Sequence, residues 1–134
     1  MKYNVKKLSK SITTTARSRL LLPQNAEMLI QTNIVDILRA NKILVFSVPN
    51  GSHFANALTR VMMRLSGLLS GVSDIIIITY GKVTFVETKT ETGKQSNAQI
   101  IFQKLVESLG FDYFVWRSSQ NAVNWIEKQK GVKS

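Results

Sequence analysis

The stretch from Gly71 to Thr90, GVSDIIIITYGKVTFVETKT, constrains this chain more than any other. Ile75 to Ile78 form a continuous β-branched run, which suits a strand buried on both faces. Tyr80-Gly81 is a turn signal, and Lys82 to Thr90 reads as a second strand, so the stretch predicts a β-hairpin. Side chains at i and i+2 share a face of a strand. Val83, Phe85, Glu87 and Lys89 therefore lie together, with Glu87 and Lys89 side by side.

A turn centred between Tyr80 and Gly81 sets Asp74 opposite Glu87. Directly opposed Cβ atoms lie about 4.5–5.5 Å apart. Two carboxylates at that separation repel by about 3 kcal/mol at an effective dielectric near 20, and a cation nearby removes the difficulty. Lys89 offers one charge and a divalent metal would offer two. Asp74, Glu87 and Lys89 are thus a candidate metal site with a lysine beside it. The alternative is a surface hairpin with an ordinary Glu/Lys pair, against which the isoleucine run and the opposed Asp74 both argue.

The rest of the composition narrows the function. With 134 residues, 44% of them hydrophobic, the chain suits one domain with a real core. No apolar run is long enough for a transmembrane helix, and no apolar segment follows the N-terminal lysines as a secretory signal requires. The absence of cysteine excludes disulfides, thiolate zinc sites and cysteine nucleophiles, and fits an intracellular location. The net charge of +10 is concentrated at the ends. Residues 1–19 carry Lys2, Lys6, Lys7, Lys10, Arg17 and Arg19 and no acid, and residues 128–134 carry Lys128, Lys130 and Lys133. Residues 20–127 are close to neutral. This divides the chain into a basic arm at 1–19, a folded domain at 20–127 and a basic tail at 128–134. Basic ends on a neutral domain suit a polyanion, and nucleic acid fits better than a membrane surface because the arm lacks an apolar helical face.

Around the hairpin, helix and strand alternate. Leu20 to Leu22 are expected to pack on the domain, and Pro23 to mark the start of a helix at about 24–40 with Ile30, Ile34, Ile37 and Leu38 at helical spacing. Glu27 and Gln31 lie on that side; an acid so near a helix start is ordinarily explained by the helix dipole. Lys42 to Val48 is a strand. Ser52 is expected to cap a helix from His53 to Ser66 with Phe54, Leu58, Val61, Met62 and Leu65 as its apolar side. Arg60 and Arg64, four apart, share an exposed face that could meet phosphates. His53 is the only histidine, and its loop position does not by itself make it a ligand or base. Ser96 and Gln99 fit a capping box. The helix they start runs to about Leu109, with Ile101, Phe102, Leu105 and Leu109 as its buried side and Gly110 ending it. Phe111 to Arg117 is a strand, and Ser118 or Ser119 starts a last helix containing Ala122, Val123, Trp125 and Ile126. Trp116 and Trp125 are assigned to the core rather than to base stacking. The order predicts an α/β fold, a mixed central β-sheet flanked by α-helices.

Glu27, Pro49-Asn50-Gly51, Gly71-Val72-Ser73-Asp74, Glu87-Thr88-Lys89 and Gly93-Lys94-Gln95-Ser96 leading to Gln99 stand in an order that resembles the VRR-NUC domain, a branch of the PD-(D/E)xK nuclease superfamily. The likeness runs from about Glu27 to Ile126. Ser73 departs from it where the family commonly has proline. Thr88 departs where the family often has an apolar residue, and its side chain is expected to face away from the site. The resemblance implies a restriction-endonuclease-like core and a DNA endonuclease dependent on Mg²⁺ or Mn²⁺. It makes Asp74 and Glu87 metal ligands, with the Thr88 carbonyl and Glu27 alongside. Lys89 would orient water or stabilise charge at phosphorus, and Gln99 would position Lys89 or a phosphate besides capping its helix. DNA contacts are expected from Lys6, Lys7, Lys10, Arg17, Arg19, Asn50, Arg60, Arg64 and Lys94. Small standalone members resemble phage proteins that form homodimers and cut four-way junctions. That implies branched DNA as substrate, a second copy of the chain as partner, and action in the cytoplasm of a bacterial host. The competing expectation is a non-catalytic nucleic-acid-binding protein using its basic ends. The Glu27/Asp74/Glu87/Lys89 set speaks for the enzyme, because a pure binder has no use for carboxylates near a phosphate.

Overall fold

The computed structural model describes residues 25–49 and 56–131. In chain order these form α1 (Ala26–Ala40), β1 (Leu44–Ser47), α2 (Ala57–Leu65), β2 (Ile75–Thr79), β3 (Lys82–Thr88), α3 (Asn97–Ser108), β4 (Asp112–Trp116) and α4 (Ser119–Gly131). The strands form one sheet in the order β1-β2-β3-β4. β1 and β3 run antiparallel to β2, and β4 joins β3 in parallel, so the sheet is mixed as expected. Ile75 pairs with Val86 and Thr79 with Lys82, which is the register of a turn centred between Tyr80 and Gly81. Gly81 supplies the positive φ of that turn, 65°.

Period-two alternation sorts the side chains onto two faces. On one, Val45, Ile75, Ile77, Val86 and Trp116 pack with Ile34 and Leu38 of α1 and with Ala122, Trp125 and Ile126 of α4. On the other, Phe85, Tyr113 and Val115 pack with Phe102 and Val106 of α3 and with Val72. Phe102 meets Phe85 edge-on at 5.5 Å between ring centres. Trp116 and Trp125 belong to the core, their ring centres 6.1 Å apart.

Two helical faces differ from expectation. Residues 50–55 lie outside the described segment, and with them Ser52, His53 and Phe54; α2 begins later, after Asn56, whose side chain accepts the Thr59 N–H. Leu58, Val61, Met62 and Leu65 do form a stripe on α2, but all four are exposed and the helix has no buried residue. On α3 the buried residues are Phe102 and Val106, whereas Ile101, Leu105 and Leu109 face outward. Helical spacing reports that a stripe exists and not what covers it. The sheet is wide enough to bury only part of the apolar arc of α3.

Candidate metal centre at the open end of the hairpin

β2 starts at Ile75 and β3 ends at Thr88, so Asp74, Glu87, Thr88 and Lys89 gather at the open end of the hairpin. Two bonds continue the ladders past the strand ends and fix the backbone there. The Val48 N–H donates to the Asp74 carbonyl at 2.9 Å, and the Lys89 N–H donates to the Trp116 carbonyl at 3.0 Å. The approach to Asp74 is equally constrained. Gly71 has φ of +83°, and a side chain there would run into the carbonyl of Ala98 at the start of α3. Ser73, where the likeness predicted proline, is fully buried and donates its hydroxyl to the Ile75 carbonyl at 3.3 Å.

The third acid comes from α1. Asn25 caps that helix by accepting the N–H of Glu27 at 3.0 Å, which places Glu27 in the first turn. A helix-dipole role and a site role coincide in this residue. Glu27, Asp74 and Glu87 bring one carboxylate oxygen each within 4.8 Å of one another. Lys89 joins them with its Nζ 3.9 Å from Glu87 Oε1, and its side chain is only 12% exposed.

Each acid of the hairpin is held by a specific partner. Asp74 Oδ2 accepts the Thr88 N–H at 2.9 Å and the Thr88 hydroxyl at 2.8 Å. Glu87 Oε1 accepts Gln99 Nε2 at 2.7 Å, while Gln99 Oε1 accepts the Ser96 N–H at 2.8 Å. Gln99 is thus the N3 residue of the capping box and the clamp on Glu87 at once. It bonds the acid rather than Lys89. Glu87 is fully buried, and its Oε2 has no hydrogen-bond donor among the described residues. Burial, reinforced by the charge of Asp74 and a hydrogen bond with it, pushes the Glu87 carboxyl up to about 9 against the opposing pull of Lys89. Protonated, Glu87 shares its proton with Asp74; ionised, it leaves a buried oxygen unanswered. A divalent cation resolves the same deficit. The donors are all carboxylate oxygens, the ligands hard cations prefer, so the residues fit a site for Mg²⁺ or Mn²⁺.

The side chains around the centre are ordered by further contacts. Arg117 Nη1 donates to the carbonyls of Thr90 and Gly93, both at 2.7 Å, and so staples the loop after Lys89. Gln95 in that loop donates to Gln103 at 3.0 Å and to the buried Tyr113 hydroxyl at 3.2 Å. Burial, with the charge of Glu87 second, pushes Tyr113 above its usual value. Arg60 and Arg64 line a cleft of about 330 Å³ together with Pro49, Gly71, Ser96 and Gln99. Lys94 is exposed on the stapled loop. Lys6, Lys7, Lys10, Arg17, Arg19 and Asn50 lie outside the described residues.

One expectation is overturned. The Thr88 side chain does not face away from the site: it bonds Asp74, and its Oγ1 lies 3.5 Å from Gln31 Oε1 on α1. Alternation does send Thr88 to the opposite sheet face from Glu87. Asp74, however, lies one residue before the start of β2, where the chain bends and its carboxylate reaches that face. The roles of Arg117 and Gln95 were also hidden, because both act on residues that only folding brings near. Gln31 carried a faint signal, standing one helical turn from Glu27.

A mixed α/β sheet gathers three carboxylates and a lysine at the mouth of its central hairpin. Residues 22–120 match the VRR-NUC domain, and the chain belongs to that family. Among solved structures, one described as a VRR-NUC domain superposes with a TM-score of 0.58 at 22% identity, covering 77% of this chain and 96% of its own. A second, a VRR-NUC domain protein, gives a TM-score of 0.63 at 16% identity, covering 80% of this chain and 89% of its own. At such identities these two structures speak for the fold. No curated protein sequence matches the chain.

Proposed function

We propose that this protein is a divalent-metal-dependent endodeoxyribonuclease acting on branched DNA, with Mg²⁺ or Mn²⁺ at Asp74, Glu87 and Glu27 and with the Thr88 carbonyl as a further oxygen ligand. The observation that carries the reading is the fully buried Glu87 carboxylate, one oxygen clamped by Gln99 and the other without a donor among the described residues, within reach of two more acids. A bound divalent ion supplies Lewis acidity toward a phosphate oxygen and lowers the pKa of a coordinated water. The chain's own groups do the rest. Glu87 and Asp74 are held so that little reorganisation accompanies the reaction. Lys89, kept close by its pairing with Glu87, orients the attacking water or meets the negative charge that grows on the phosphoryl oxygens. Water adds to phosphorus as the P–O3′ bond breaks, leaving a 3′-hydroxyl and a 5′-phosphate. Arg60 and Arg64, which line a cleft with Gln99, and the exposed Lys94 suit flanking phosphates.

A four-way junction presents two equivalent strands, which two symmetric active sites would match. The exposed Leu58, Val61, Met62 and Leu65 on α2 support a homodimer, since a stripe of that size seeks cover. A monomer by light scattering, with and without junction DNA, would end that part of the reading.

The decisive experiment is cleavage of a labelled synthetic four-way junction in Mg²⁺, beside a plain duplex and a single strand of the same sequence, with Lys89→Ala as control. Paired nicks in the junction alone, abolished in Lys89→Ala with DNA binding intact, are the expected result. Cutting of all three substrates would leave a general nuclease. Binding without cleavage in either Mg²⁺ or Mn²⁺ would favour a non-catalytic nucleic-acid-binding protein.

A further inference from the structure

We infer that Thr88 is a positioning residue for the metal centre: its hydroxyl and its backbone N–H together hold Asp74 Oδ2, leaving Oδ1 as the oxygen Asp74 turns to the cation. The inference rests on the metal-binding reading above and goes beyond it, because Thr88 enters there only through its carbonyl.

The geometry is specific. Both donors come from one residue and reach one oxygen, at 2.9 Å from the N–H and 2.8 Å from Oγ1. The residue is fully buried, which shields both donors from water. Bonds to a charged acceptor are about twice as strong as neutral ones, and two of them converging on Oδ2 fix the rotation of the carboxylate. Glu87 shows the same division of labour. There Gln99 takes Oε1, and among the described residues Oε2 has no donor. In each acid the protein's own neutral donors engage one oxygen, the arrangement expected of carboxylates that each give their other oxygen to a small cation.

Thr84 supplies an internal contrast. It lies earlier on the same face of β3, is also fully buried, and its hydroxyl has no hydrogen-bond partner among the described residues. A threonine on this face is therefore compatible with the packing whether or not its hydroxyl is engaged. At position 88 the hydroxyl is engaged by a candidate ligand. Gln31, 3.5 Å from Oγ1, closes the side toward α1 and limits the rotation of the threonine.

Partners that orient metal ligands typically affect metal affinity or activity by about 10–100-fold when removed. The test is calorimetric titration of the whole protein with Mn²⁺ and no DNA. Thr88→Val, which keeps the backbone N–H and the β-branched shape, should weaken Mn²⁺ binding by about 10-fold or more. Thr88→Ser, which restores the hydroxyl, should return it to near the wild-type value. A purely structural role would not make recovery depend on the hydroxyl. Should Thr88→Val fail to fold, Thr88→Ala serves in its place against the same serine variant. A second comparison uses Asp74→Ala: on that background the Thr88 substitution should change the residual affinity no further, because the group it positions is gone. Wild-type affinity in Thr88→Val would overturn the inference while leaving the metal centre standing. No Mn²⁺ binding by the wild-type protein would overturn both.

Discussion

Glu87 concentrates the chemistry of the site in one side chain. Its carboxyl is raised to about 9 by burial and by Asp74, whereas in the unfolded chain it titrates near its ordinary value of 4.5. Between those two values the metal-free folded protein holds a proton that the unfolded chain has released. The stability that goes with it is complete below pH 4.5 and is lost as the pH rises through 9, with a slope of at most about 1.4 kcal/mol per pH unit from this group. In chelator, the melting temperature of the wild type should fall between about pH 5 and 9 more steeply than that of Glu87→Gln, which carries no titrating group. Parallel profiles would contradict the assignment. Metal binding must displace the same proton, so Mn²⁺ affinity should rise with pH over that range in the wild type. Much of this residue was legible in sequence: the two-residue turn fixed the pairing, and the pairing set Asp74 against Glu87. Thr88 was misread, because strand alternation was extended to Asp74, one residue before β2 starts, where the chain bends.

Elements deliver these residues, and their ends matter more than their middles. The start of α3 is the clearest case, since Gln99 closes the capping box and clamps Glu87 with the same amide. Ser96→Ala and Gln99→Ala should each cost about 1 kcal/mol in urea unfolding, as removal of a cap does. Only Gln99→Ala should also reduce cleavage, by about 10-fold or more, because Ser96 does not bond Glu87. Equal reductions of activity would show that the cap, and not the clamp, is what counts. Gly71 serves the entry to β2. Gly71→Ala combines a left-handed backbone with a collision against the Ala98 carbonyl and should cost more than about 2 kcal/mol by denaturant titration. A near-neutral result would mean that the 68–73 segment shifts freely, which the buried Ser73 argues against. The capping box and the hairpin were readable because their signals are local. Which apolar residues of α2 and α3 are covered was not, since that depends on the width of the sheet beneath them.

Across the molecule, charge is segregated from chemistry. The described domain carries the acids and Lys89 at one end of the sheet, while six of the chain's basic residues fall within 1–19. If that segment grips the DNA backbone, removing it should weaken binding equally for all sequences. The salt slope of log K against log[salt] should fall by up to about 5, at about 0.9 for each phosphate no longer neutralised. Mn²⁺ affinity should be unchanged. A truncated protein with the full salt slope would assign the phosphate contacts to the domain, with Arg60, Arg64 and Lys94 the first to substitute.

Local rules were enough to set the order of the elements, the hairpin register and the pairing of Asp74 with Glu87 beside Lys89. Side-chain period, turn chemistry, caps and the repulsion of opposed carboxylates are all written in short stretches of residues. How the site works was settled by folding in three dimensions. It brought Glu27 from α1 to the hairpin, turned Thr88 onto Asp74, set Gln99 against Glu87 and stapled the following loop with Arg117. It also removed Glu87 from water, the first cause of its raised pKa. Contacts between residues far apart in the chain depend on how helices dock on two faces of a twisted sheet, and burial depends on everything that surrounds a side chain. Neither can be read from any one segment.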